Sequence, residues 1–204
     1  IEYARKEGLP VIPRGACSSL TGAAIGSGIV IDFTKYMNQI IQVNGDFVDV
    51  QPGIVYAGLN KKLATANRFF APDPSSGDFC TIGGMLGCNA GGAHSVKYKA
   101  TNEYVESLEV VLASGELVNI EPCFSSQTTT FKIANEIFEL LSKNELLIEE
   151  RTPKVKRNAC GYDLDIIKDG KVNLPRLLVG SEGTLGIITG ARLKVNKPLK
   201  HKIV

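Results

Sequence analysis

Three glycine-rich stretches, at residues 14–28, 77–92 and 180–190, constrain the fold of this 204-residue chain more than any other feature. Glycine is used where the backbone adopts a positive φ or passes very close to another group, and each interior glycine costs about 0.5–1 kcal/mol relative to alanine. Successive backbone N–H groups in such loops form concave sites for anions. Three distant loops of this kind predict that the chain wraps around an extended ligand.

The first stretch has the composition of a diphosphate site. The sequence PRGACSSLTG, at residues 13–22, supplies an arginine, two glycines and three hydroxyl side chains. Two familiar nucleotide motifs are absent, because no Gly-Lys-Ser/Thr occurs, and Gly26 and Gly28 are followed by Ile31 where a dinucleotide fingerprint needs its third glycine. The site is therefore of another type. Arg14 has two interpretations, as support for the diphosphate or as half of a structural ion pair.

Composition excludes several other classes of protein. Hydrophobic residues make up 44% and charged residues 22%, which is typical of a globular chain, and the net charge of +2 predicts no general attraction to nucleic acid. No apolar run approaches the ~20 residues of a membrane-spanning helix. Five cysteines, none in a C-x-x-C pair, argue against a zinc site or a disulfide framework. We expect no metal, and a cytoplasmic location, either free or peripheral at the cytoplasmic membrane.

Periodicity and turn signals predict an α+β fold without regular βαβ alternation. A helix ends at Gly8, and hairpins turn at Asn44-Gly45 and Ser114-Gly115. The other predicted elements are strands at 9–13 and 27–35, helices at 55–69 and 130–145, a segment without regular pattern at 70–101, and a strand–turn–strand unit at 175–197.

Five segments together resemble the FAD-binding domain of the vanillyl-alcohol oxidase / p-cresol methylhydroxylase (PCMH-type) flavoprotein family, and within it the D-lactate dehydrogenase and glycolate oxidase subunit branch. They are PRGACSSLTG, APDPSSGDFCTIGGMLGCNAGG, VKYKATNEYVESLEVVLASGE, KRNACGYDL and VGSEGTLGIIT. The resemblance implies two α+β subdomains with FAD between them, followed by a cap domain for the substrate. In this chain it implies an N-terminal subdomain at 1–54 with its first strand and helix partly missing, a C-terminal subdomain at 55–204, and no cap domain, so that the fold is truncated at both ends.

The resemblance also implies which residues hold FAD. The first loop would hold the diphosphate through its backbone N–H groups, the segment from Cys88 would lie near the flavin ring, and the segment from Glu182 near the adenosine half. The implied cofactor-binding residues are Pro13, Arg14, Gly15, Ala16, Cys17, Ser18, Ser19, Pro74, Ser75, Thr81, Ile82, Gly83, Gly84, Cys88, Asn89, Ala90, Gly91, Glu182, Gly183, Leu185, Gly186, Ile187 and Ile188. Ser18 stands where some relatives carry a flavin-linking histidine, so we expect non-covalent FAD, with a cysteinyl bond as the alternative.

The implied reaction is oxidation of a small 2-hydroxy acid, such as D-lactate or glycolate, by hydride transfer to flavin N5. A quinone, an iron–sulfur protein or a cytochrome would then accept the electrons, and this chain alone would be inactive. The alternatives are a non-catalytic FAD-binding subunit of a multisubunit hydroxy-acid oxidase and, with a poorer fit to NAGG and EGTLG, an NADPH-using reductase of the cell-wall type.

Catalytic residues stay unassigned at this stage. His94 would either approach the active site or form a structural hydrogen bond, and His201 would be solvated in a basic tail. Asp73 and Asp78 are expected to order their own loop through Asx turns.

Overall fold

The structure is a computed structural model, and it describes residues 1–122, 129–155, 158–159, 161–168 and 171–199. Cys123, Cys160 and His201 lie outside these ranges. The helices are α1 (Glu2–Glu7), α2 (Tyr56–Ala64), α3 (Ile82–Gly87), α4 (Ser95–Tyr98), α5 (Thr129–Lys143), α6 (Glu145–Arg151) and α7 (Leu174–Leu178), with a 3-10 helix at Thr101–Tyr104. The strands are β1 (Val11–Arg14), β2 (Ile29–Asp32), β3 (Ile40–Asn44), β4 (Phe47–Val50), β5 (Val105–Val111), β6 (Leu117–Ile120), β7 (Ile167–Lys168), β8 (Lys171–Val172) and β9 (Ile187–Lys194).

Two hairpins and one late strand form the main sheet, and the predicted α+β class is confirmed. The order is β3-β4-β9-β5-β6 with antiparallel pairing throughout, so the last strand among the described residues lies at the centre. Both hairpin turns were predicted, and their glycines have positive φ, 60° at Gly45 and 91° at Gly115. Left-handed backbone is open to glycine at little steric cost, which is why these positions turn the chain.

A separate two-stranded sheet carries the first glycine stretch. β1 and β2 pair in parallel, and the loop between them runs through residues 15–28. The helix before β1 ends at Gly8, whose φ of 65° forms the predicted left-handed C-cap. The first loop therefore begins at the carboxyl end of β1.

Two elements differ from the sequence prediction. The segment at 70–101 was predicted to lack regular structure, but it contains α3 and α4, and Thr81 caps α3 by accepting a hydrogen bond from the N–H of Gly84 at 3.2 Å. The predicted strand beginning at residue 175 is instead the helix α7. Its N-cap Asn173 accepts from the N–H of Arg176 at 3.1 Å, and Pro175 lies in its first turn, where proline is favourable.

The core lies on one face of the five-stranded sheet. Strand side chains and helix side chains that are fully buried meet there: Val48, Leu108, Val110, Leu193, Leu59, Leu63, Ile82 and Leu86. Burial of such side chains is the main stabilising contribution to a domain of this size. The sheet takes strands from both sides of the boundary that we predicted between residues 54 and 55, and the two-subdomain division stays a prediction. No helix within the described ranges is long and apolar enough to cross a membrane.

Candidate functional site

The three glycine-rich stretches meet around one cavity of about 350 Å³. This volume lies within the range of about 300–1,000 Å³ that is usual for small-molecule sites. The cavity lies between the loop that follows β1, the helix α3 and the turn that precedes β9. The predicted cofactor residues that line it are Pro13, Arg14, Gly15, Ala16, Cys17, Ser18, Ser19, Thr81, Gly83, Gly84, Cys88, Ala90, Glu182, Gly183, Gly186 and Ile188.

The remaining predicted cofactor residues do not line this cavity. They are Pro74, Ser75, Ile82, Asn89, Gly91, Leu185 and Ile187. The side chains of Ile82 and Ile187 are buried, and Asn89 accepts a hydrogen bond from the N–H of Asn102 at 3.0 Å. These three residues are buried in the surrounding structure and do not form the surface of the cavity.

Sequence reasoning missed a second set of lining residues. They are Leu20, Thr21, Ala23, Ala24, Phe33, Pro52, Ser76, Cys80, Met85 and Gly87. Those from Leu20 to Ala24 continue the first loop, and Gly87 lies in the second glycine stretch, so extending each motif would have found them. Phe33 and Pro52 carry no local signal, because only the tertiary fold brings them to the cavity.

Several of the glycines hold the loops against one another. A Cβ on Gly15 would lie 2.0 Å from Oγ1 of Thr81, and one on Gly183 would lie 2.4 Å from Cγ of Pro13. The glycines at these two positions are required by the fold itself, since any larger residue would push two segments apart. Their role in the site is indirect, because they bring its walls together.

Two glycines of α3 have a different environment. The nearest atom to a Cβ on Gly84 would be Oγ1 of Thr81 at 3.3 Å, and the nearest to one on Gly87 would be Cα of Glu182 at 3.9 Å. Glycine in a helix costs up to about 1 kcal/mol relative to alanine, and Gly87 has no protein contact that requires it. Both residues line the cavity, and the missing side chain of Gly87 leaves room for a ligand to lie directly against the helix.

The first loop presents an uninterrupted row of backbone donors. Within the described part of the chain, the N–H groups of residues 15–19 donate no hydrogen bond to the protein. Cys17, in the middle of this row, has a φ of 57°, a left-handed conformation typical of anion-binding backbone turns. Because backbone N–H groups require acceptors, this loop is suited to a diphosphate.

Two side-chain pairs connect the first loop and its start to other segments of the chain. Arg14 forms an ion pair with Asp32, with Nη2 and Oδ2 3.1 Å apart, which is the structural interpretation of this arginine. Hydrogen bonds from Thr34, and then the Arg14 contact, hold the pKa of Asp32 below its usual value. Near the middle of the loop, Thr21 donates to Oε2 of Glu182 at 3.3 Å and joins the first loop to the third glycine stretch.

His94 is held by Asp73, and both residues lie outside the lining of the cavity. Nδ1 of His94 is hydrogen-bonded to Oδ2 of Asp73, and the N–H of His94 donates to Oδ1 at 3.3 Å. Asp73 thus joins two loops, and the prediction that it orders its own loop is wrong. The structural interpretation of His94 is confirmed, since neither residue lines the cavity.

Comparison with known families identifies the cofactor of this chain. The family described as FAD binding domain matches residues 1–121. The chain belongs to this family of FAD-binding domains, and the predicted cofactor, FAD, is confirmed.

Individual relatives point to a narrower group. D-2-hydroxyglutarate dehydrogenase of Escherichia coli (strain K12) is 33% identical over 206 residues, which cover 95% of this chain and 20% of the relative. Glycolate oxidase subunit GlcD of Bacillus subtilis (strain 168) is 34% identical over 199 residues, 95% of this chain and 33% of the relative. D-lactate dehydrogenases match at 27% to 30% identity. The chain therefore spans about a fifth to a third of the first two relatives.

A solved structure confirms the fold. Alkyldihydroxyacetonephosphate synthase superposes with a TM-score of 0.64 at 25% identity, over 95% of this chain and 30% of that one. The resemblance to the PCMH-type FAD-binding fold is confirmed.

Proposed function

We propose that this chain is the FAD-binding part of an oxidoreductase that oxidises a small 2-hydroxy acid. The observation that carries the proposal is the space beside Gly87, which opens into a cavity formed by all three glycine stretches. A long cofactor with a diphosphate at its centre accounts for three distant loops converging on one cavity. The names of two relatives, D-2-hydroxyglutarate dehydrogenase and D-lactate dehydrogenase, support a 2-hydroxy acid as the class of substrate.

Each wall of the cavity has its own task in this proposal. The N–H groups of residues 15–19 bind the diphosphate, and Gly87 allows the cofactor to lie against α3. The ion pair of Arg14 with Asp32 fixes the first loop, and Thr21 fixes it to Glu182. FAD bound there would supply the redox chemistry, as the acceptor for a hydride from the carbon that carries the substrate hydroxyl group. The protein supplies orientation, and no catalytic base is assigned within the chain.

The identity of the substrate and of the electron acceptor belongs to the same proposal. D-Lactate and glycolate are the expected substrates, and the relatives add D-2-hydroxyglutarate. A quinone, an iron–sulfur protein or a cytochrome accepts the electrons, and the protein is cytoplasmic or peripheral at the cytoplasmic membrane. FAD is held without a covalent bond.

Binding of FAD is tested first, on the full-length protein. Purified protein is expected to show flavin absorption, or to quench the fluorescence of added FAD with one site per chain. Acid precipitation should release free FAD into the supernatant, whereas flavin retained in the pellet would contradict non-covalent attachment. Protein that contains no flavin and takes up none would refute the proposed function.

Turnover is tested next, with an artificial electron acceptor and with D-lactate, glycolate and D-2-hydroxyglutarate in separate assays. Reduction of the acceptor with one of these acids, and not with its L-enantiomer where one exists, is expected. Flavin-loaded protein that turns over none of the three would instead favour the non-catalytic FAD-binding subunit. The name of the Bacillus relative, a glycolate oxidase subunit, supports that second candidate.

A further inference from the structure

Two exposed thiols from different segments of the chain line the proposed cofactor cavity. Cys17 lies in the middle of the first loop, and Cys88 follows α3 directly. Both belong to the lining of the same cavity of about 350 Å³. A third lining cysteine, Cys80, is buried with 6% of its surface exposed. The cavity thus holds two accessible thiols and one inaccessible thiol.

We propose that Cys17 and Cys88 form a thiol-modification site inside the cofactor cavity, and that modification of either thiol excludes FAD. This inference rests on the proposed FAD site and adds a redox-dependent control to it. The modifying compound is a low-molecular-weight disulfide such as glutathione disulfide. The thiolate of Cys17 or Cys88 attacks one sulfur of that disulfide, a new S–S bond forms to the protein, and one glutathione thiolate leaves.

Geometry makes the two states mutually exclusive. Cys17 is flanked by the N–H groups that face the proposed diphosphate, and Cys88 is adjacent to Gly87, where the cofactor is proposed to contact the helix. A tripeptide attached to either sulfur occupies space that FAD needs in a cavity of about 350 Å³. Because coupling between two binding events is reciprocal, bound FAD must in turn protect both thiols.

The buried thiol provides an internal control. Reaction with a disulfide requires access and a thiolate, and burial raises the pKa of Cys80. Cys80 should therefore react slowly whether or not FAD is present. A protein that had merely unfolded would expose all three thiols alike, so their relative rates separate the proposal from loss of structure.

The first experiment measures protection. The full-length protein, with and without FAD at 100 times its measured dissociation constant, is treated with glutathione disulfide and analysed by peptide mass mapping. Modification of Cys17 and Cys88 should slow about 100-fold, since only a fraction of about 1/(1 + [FAD]/Kd) is unbound. Cys123 and Cys160 are quantified on their own peptides. FAD-loaded protein in which Cys17 and Cys88 react at the FAD-free rate would overturn the inference and leave the proposed function intact.

The second experiment measures the converse effect. Protein modified before FAD is added should lose flavin uptake, and dithiothreitol should restore it, while the far-ultraviolet circular dichroism stays unchanged. The variant Cys17→Ala/Cys88→Ala should show the same flavin uptake, whatever its level, with and without glutathione disulfide. Unchanged uptake by modified wild-type protein would refute the exclusion. Untreated protein that binds no FAD would refute both this inference and the proposed function.

Discussion

Replacing Gly87 by alanine should separate the stability of the protein from its affinity for FAD. Gly87 ends α3, and a Cβ there would have Cα of Glu182 at 3.9 Å as its nearest neighbour, which is an ordinary contact. Alanine in a helix is favoured over glycine by up to about 1 kcal/mol. We therefore expect the melting temperature of the FAD-free variant to rise by up to about 2–4 °C.

The affinity of the same variant should fall. The added methyl group enters the cavity beside α3, where the cofactor is proposed to lie. Forcing an extra methyl group into a well-packed contact costs about 1–3 kcal/mol. This corresponds to an increase of about 5- to 150-fold in the dissociation constant of FAD. Titration of flavin fluorescence measures the affinity, and circular dichroism without FAD measures the melting temperature.

Gly58→Ala is the matched control. Gly58 lies inside α2, is exposed and lies outside the cavity, and a Cβ added there would meet no other segment of the chain within 4 Å. This variant should gain a similar increase in melting temperature and keep the wild-type affinity for FAD. Wild-type affinity in Gly87→Ala would refute contact between the cofactor and α3. A lower melting temperature in that variant would show that the methyl group damages the fold itself.

Three further predictions concern stability. Gly15→Ala places a Cβ 2.0 Å from Oγ1 of the buried Thr81. An overpacking cost of about 1–3 kcal/mol should lower the melting temperature by about 2–12 °C. An unchanged melting temperature would contradict the clash. Hydrogen bonds from Thr34 lower the pKa of Asp32, so the stability that the ionised carboxylate contributes is present above about pH 4 and lost as the pH falls through the lowered pKa. The difference in urea midpoint between wild type and Asp32→Asn should therefore shrink over that pH range. A difference that stays constant with pH would contradict this prediction. Burial raises the pKa of Tyr56 to about 12, so the folded protein favours the protonated phenol. The contribution of this phenol to the free energy of unfolding is present below about pH 10 and is lost as the pH rises toward 12. When tyrosine ionisation is followed by ultraviolet absorbance, Tyr56→Phe should lack the ionisation that wild type shows at the highest pH. If that ionisation persists in the variant, it does not belong to Tyr56.

Local chemistry explains which elements could be predicted. The hairpins were predictable because Gly45 and Gly115 have positive φ in the short turns that join the paired strands. The helix α3 was missed because its three glycines lower helix propensity, although Ile82, Met85 and Leu86 recur at helical spacing. Tertiary packing of those apolar side chains outweighs the propensity.

The candidate site was predictable only where its walls are continuous in sequence. The first loop is recognisable in the sequence from its glycine and hydroxyl residues, so most of the residues that it contributes to the cavity were predicted. Phe33 and Pro52 could not be found, because they reach the cavity through the packing of distant segments. The contact of Asp73 with His94 joins residues 21 positions apart and has no local signature.

The central position of β9 has a consequence for biosynthesis. The hairpins β3-β4 and β5-β6 can each form as soon as their residues leave the ribosome, but β9 must pair with β4 on one side and β5 on the other. Until residues 187–194 emerge, both hairpins keep an unpaired edge, and such edges invite pairing with other chains. The turn that completes the cavity directly precedes this strand. The nascent chain therefore completes the cavity at the same step that pairs β4 and β5 through β9, and only β3 and β6 remain as edges of the sheet.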